Sequence, residues 1–79
     1  MILKLDNREY ELIIASDVIR DGIGLEIWDK SSNSMIIEIF RNDSKKRIDF
    51  FSEKVDVSLD LIKKCIEIFN EKIKREFRD

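Results

Sequence analysis

From Ile2 to Ser52, apolar and polar residues alternate with a period of two in five runs: Ile2 to Leu5, Tyr10 to Val18, Ile23 to Asp29, Met35 to Phe40 and Arg47 to Ser52. A strand points successive side chains to opposite faces, so each run predicts a strand with one dry and one wet side. The segments between them, Asp6-Asn7-Arg8, Asp21-Gly22, Lys30 to Ser34 and Arg41 to Lys46, are polar and turn-like. Links this short join neighbouring strands, which predicts an antiparallel meander.

After Ser52 the period changes. Ser58 reads as an N-cap, Asp60 sits in the first turn where the helix dipole favours an acid, and Lys72, Lys74, Arg75 and Arg78 crowd the end where it favours bases. Ile62, Ile66, Phe69, Ile73 and Phe77, with Cys65 beside them, form one apolar stripe, so a helix is expected over about 59–77. One helix covers one face of a small sheet. The expected fold class is therefore α+β: a two-layer sandwich of a four- to five-stranded antiparallel meander with one C-terminal helix, spanning residues 1–79 as one domain.

The stretch DGIGLEIWDK, residues 21 to 30, asks why a supposedly wet strand face carries a glycine, an acid and the chain's one tryptophan. Taking Asp21-Gly22 as a two-residue hairpin loop pairs Arg20 with Ile23 and Val18 with Leu25. With the following hairpins in compatible registers, three rows form on the outer face: Ile19/Gly24/Phe40/Arg47, Asp17/Glu26/Glu38/Asp49 and Ala15/Trp28/Ile36/Phe51. Leu12, Ile14, Val18, Ile23, Leu25, Ile27, Met35, Ile37, Ile39, Ile48 and Phe50 then belong to the inner face beneath the helix. Gly24 acquires a reason, because a missing side chain beside Phe40 lets the ring lie over the backbone.

Composition limits the chemistry. At 79 residues, a chain buries only about 60–65% of its unfolded surface, so the stability margin is thin. Cys65 is the only cysteine and there is no histidine, which removes internal disulfides, the usual zinc sites and a Ser-His triad. No glycine-rich phosphate loop is present either. The N-terminus lacks a signal-like apolar stretch and no apolar run is long enough to cross a membrane, so a cytoplasmic protein without a membrane partner is expected. Charge is uneven: residues 1 to 61 hold 13 acids against 9 bases, and residues 62 to 79 hold 6 bases against 4 acids. An acidic body argues against a nucleic-acid partner, and the basic tail reads as dipole complementation.

These observations predict a non-enzymatic interaction domain that presents its outer sheet face to a second copy, as a homodimer, or to a basic protein partner, in the manner of an immunity or antitoxin protein. Trp28, Ile36, Phe40 and Phe51 are the expected apolar contacts, and Glu26, Glu38 and Asp49 the orienting charges. No catalytic residue, metal ligand or cofactor is expected. Two alternatives stand beside this reading. The row Asp17/Glu26/Glu38/Asp49 offers oxygen ligands to a divalent cation and, in its pair Glu26 and Glu38, a carboxylate dyad for acid-base work, and aromatics on a sheet offer stacking platforms to single-stranded nucleic acid.

With RDGIGLEIW, IIEIFRND and IDFF on successive strands and VSLDLI opening the terminal helix, the chain resembles small bacterial hypothetical proteins built as a β-meander followed by one helix. The resemblance covers nearly the whole chain. It implies the fold and carries over no activity and no site residue.

Overall fold

The computed structural model describes residues 1–54 and 56–78. Five strands, β1 (Ile2–Leu5), β2 (Arg8–Asp17), β3 (Gly22–Asp29), β4 (Ser34–Asn42) and β5 (Arg47–Ser52), form one antiparallel sheet in sequential order, followed by one helix, α1 (Leu59–Lys72). The α+β sandwich expected from the alternation is the fold of this chain. The molecule is elongated, about 40 Å long and 22 Å across.

The turns explain the registers. Asp6 and Asn7 both have left-handed backbone, with φ of 52° and 62°, and close a two-residue turn between the paired Leu5 and Arg8. Asp and Asn tolerate that conformation, and its twist matches the strands it joins. The other three connections share a longer plan of four residues. In each, the last strand residue is Asp or Asn and its side chain accepts hydrogen bonds from the loop: Asp17 from the Ile19 and Arg20 N–H groups, Asp29 from the Ser31 N–H, and Asn42 from the Lys45 N–H. In each, the fourth loop residue is left-handed: Asp21 at φ 58°, Asn33 at 53° and Lys46 at 55°. The side chain substitutes for a backbone turn bond, and the left-handed residue returns the chain to the sheet.

This plan overturns the two-residue Asp21-Gly22 hairpin. The loop is residues 18–21, Gly22 lies inside β3 opposite Asp17, and Ala15, Ile13 and Glu11 face Gly24, Glu26 and Trp28. Val18, expected in the core, and Ile19 sit at the loop tip, 93% and 97% exposed. The β3/β4 register holds for Gly24/Phe40 and Glu26/Glu38, then shifts at an irregularity between Ile27 and Trp28 that sets Trp28 opposite Met35. A bulge re-aims the side chains beyond it. Ile36 consequently joins the core with Tyr10 and Leu61 instead of the outer face. Along β4/β5 the strands sit two residues from the expected register, with Glu38 opposite Phe51 and Phe40 opposite Asp49.

The core lies between the sheet and α1: Leu12, Leu25, Ile27, Ile36, Ile37 and Ile39 meet Leu61, Cys65, Ile68, Phe69 and Ile73. The buried stripe is thus rotated from the expected one. Cys65 is central, Leu61 and Ile68 are buried, and Ile66 is 43% exposed. The helix also ends early, at Lys72, with Ile73 in extended backbone. A buried polar clasp accounts for this. Arg41 Nε and Nη2 donate to the two carboxylate oxygens of Asp43, Arg41 Nη1 donates to the Lys74 carbonyl, and the Arg78 N–H donates to Asp43 Oδ1. Burial pushes the Asp43 carboxyl up, but the Arg78 N–H and the Arg41 guanidinium outweigh it and the pKa is lowered.

Candidate functional site

The outer face carries two aromatic positions with opposite fates. Phe40, on β4, lies over the two glycines of the chain. A Cβ on Gly22 would meet Arg41 O and come 2.7 Å from Phe40 Cζ, and one on Gly24 would come 2.9 Å from Phe40 Cδ1. Above the ring, the Arg20 guanidinium carbon stands 3.9 Å from its centroid, close enough for cation–π attraction. Arg20 is held there by three carboxylate contacts: Nε to Asp17 Oδ2 at 2.6 Å, and Nη1 and Nη2 to the two Glu38 oxygens at 2.7 and 2.8 Å. These bonds raise the Arg20 pKa, and those it gives Asp17 hold that carboxyl below the usual range. Phe40, expected as an exposed contact, is therefore 1% exposed.

The expected row of four acids is not formed. Only Glu26 and Glu38 face one another, while Asp17 pairs across to Gly22 and Asp49 to Phe40. Like charges directly opposite are unfavourable, and each finds local compensation. Glu38 is buried and takes Arg20, Glu26 accepts from the Trp28 indole N–H at 3.0 Å, and Asp49 accepts from Arg47 at 2.6 Å. Among the described residues, no group of three or more His, Cys, Asp or Glu side chains is placed to hold a metal ion. The cation reading loses the row on which it rested, whereas the Glu26/Glu38 dyad keeps its facing pair, with Glu38 engaged by Arg20.

Trp28, on β3, stays half-buried on the outer face and does not lie beneath α1. With its N–H engaged by Glu26, it borders a trough of about 430 Å³ lined by Ile2, Glu11, Ile13, Trp28, Asp29, Lys30 and Asn33. Ile13 is 40% exposed there. Glu11 Oε2 is buried without a hydrogen-bond donor, and the amino-terminal nitrogen stands 3.9 Å away. Phe51 is half exposed at the far side of the face, beyond Glu38. Of the seven expected contact residues, Trp28, Glu26 and Phe51 remain open to a partner. Ile36 and Phe40 are buried, and Glu38 and Asp49 are engaged by arginines.

Ile13, Glu11 and Arg20 were absent from the expected site. The signal for Ile13 is the doublet Ile13-Ile14, which puts one aliphatic side chain on each face of β2. Arg20 has only a weak signal: a base next to several acids, reaching its partners through the fold. Cys65 is wholly buried, and burial raises its thiol to about 11, so it presents no thiolate at neutral pH. Among the described residues, no helix is long and apolar enough to cross a membrane.

The chain matches no family model, no curated protein and no solved structure in comparisons with known proteins. Function therefore rests on the geometry of the site itself.

Proposed function

We propose that the protein is a non-enzymatic interaction domain whose outer sheet face receives a protein partner in the trough between Ile13 and Trp28. The observation that carries this reading is the pairing of a half-buried indole with an exposed aliphatic residue along one open trough. Binding hot spots concentrate on aromatic anchors in desolvating pockets. Glu11 and Asp29 in the trough and Glu26 at the Trp28 N–H outnumber Lys30, so the fitting partner presents an apolar side chain flanked by Lys or Arg.

Affinity capture with the wild-type chain beside Trp28→Glu and Ile13→Lys, both checked for native circular dichroism, tests this. A partner retained by the wild type and lost by both variants is expected. Equal recovery by all three, or no specific partner for the wild type, rejects the trough as a binding site.

A further inference from the structure

A second surface lies at the β5 edge. Its neighbour on one side is β4, and the other side of the strand is the margin of the sheet. The Glu53 N–H donates to Ile36 O, which fixes the phase of the β4/β5 ladder: Arg47, Asp49 and Phe51 bond to β4, and the N–H and C=O groups of Ile48, Phe50 and Ser52 point outward. Above this edge, between β5 and α1, runs an apolar cleft of about 320 Å³ floored by Ile39 and Ile48 and walled by Phe50, Ile62, Ile66 and Phe69. Phe50 is 51% exposed at its mouth. Among the described residues no strand lies beside this edge, and an open edge next to an apolar cleft is a template for another strand.

We infer that this edge pairs antiparallel with the β5 of a second copy, with Phe50 facing Phe50 across the two-fold axis. Side chains opposite one another must share a face, so only registers in steps of two are allowed. Charge and backbone select among them. The register centred on Asp49 sets that carboxylate against its own copy, and the one centred on Phe51 sets Asp49 against Glu53, both repulsive. The register centred on Ile48 runs through Lys46, whose φ of 55° is not a strand conformation. Centring on Phe50 instead pairs Arg47 with Glu53 twice, Ile48 with Ser52 twice, and brings two Phe50 rings together over the joined clefts. The Ile13–Trp28 trough, across β2 and β3, stays free in this dimer.

Light scattering across concentration, with Arg47→Glu, Glu53→Arg and the double exchange, tests the pairing. A wild-type dimer is expected, with each single exchange weakening it by roughly tenfold or more and the double restoring it to within about threefold. In the dimer, amide hydrogen exchange at Ile48, Phe50 and Ser52 slows with rising protein concentration. A strict monomer, a double exchange no tighter than the singles, or a dimer without that amide protection overturns the inference. Trp28→Glu is expected to leave the dimer intact, so loss of capture at the trough and loss of self-pairing are separate results.

Discussion

Phe40 and Trp28 sit on the same sheet face, yet one is sealed and the other open. Alternation treats them alike. Their difference comes from above and below the strand: two glycines floor the Phe40 ring and Arg20 roofs it, whereas Trp28 has only Glu26 at its N–H and an unfilled trough beside it. A polar side chain from a loop can thus turn an outward aromatic into core, and its absence leaves a surface available for binding.

The largest separation is expected from truncating the two rings. Phe40→Ala removes a fully buried ring and should cost about 3–5 kcal/mol, whereas Trp28→Ala, half-buried, should cost about 1 kcal/mol. Urea denaturation measures both, and similar costs would erase the contrast between sealed and open sites. Next is the floor: Gly24→Ala pushes a Cβ against the Phe40 ring and should destabilise by about 1–3 kcal/mol, read as a lower denaturation midpoint at unchanged slope. The roof should matter on a similar or slightly smaller scale, since Arg20→Met leaves Glu38 unpaired and loses the cation–π contact, about 1–3 kcal/mol at neutral pH.

Acid sharpens the roof prediction. Arg20 holds the Asp17 carboxyl below its ordinary value of 3.8, so the folded state takes up that proton later than the unfolded chain. The contribution is complete above the unfolded range and is lost as pH falls through the lower folded value. Asp29 and Asp43, also lowered, keep their partners in the variant. The stability gap between wild type and Arg20→Met should therefore be full at pH 7 and narrow below about pH 4. A gap that widens on acidification would mean that the carboxylates are not what holds Arg20 in place.

Strand content was legible because alternation in a two-layer fold is imposed by burial itself: the ends of β1, β3 and β5 fall within a residue of the expected ones. Even the Gly24–Phe40 contact followed from that logic. Register was harder, because period two is blind to slips of two or four residues. The Asp-Gly dipeptide suggested a tight hairpin, while the deciding residue was Asp17, whose side chain bonds of 3.0 and 3.1 Å to the loop add two residues. The bulge at Ile27/Trp28 has no composition signal, and it alone moved Ile36 to the core. The helix end at Lys72 depends on Arg41 reaching the Lys74 carbonyl from β4, a contact between residues far apart in the chain. Parity placed Trp28 on the outer face, but only packing decided which of its neighbours stayed exposed.

The four-residue loops, each gripped from the strand side by Asp17, Asp29 or Asn42, behave as cassettes whose inner letters are spare. In the first, Val18 and Ile19 project into solvent while the anchoring aspartate and left-handed Asp21 do the bending. Foreign dipeptides spliced there would ride on a preshaped bracket, so this small sheet is a natural scaffold for displaying short epitopes.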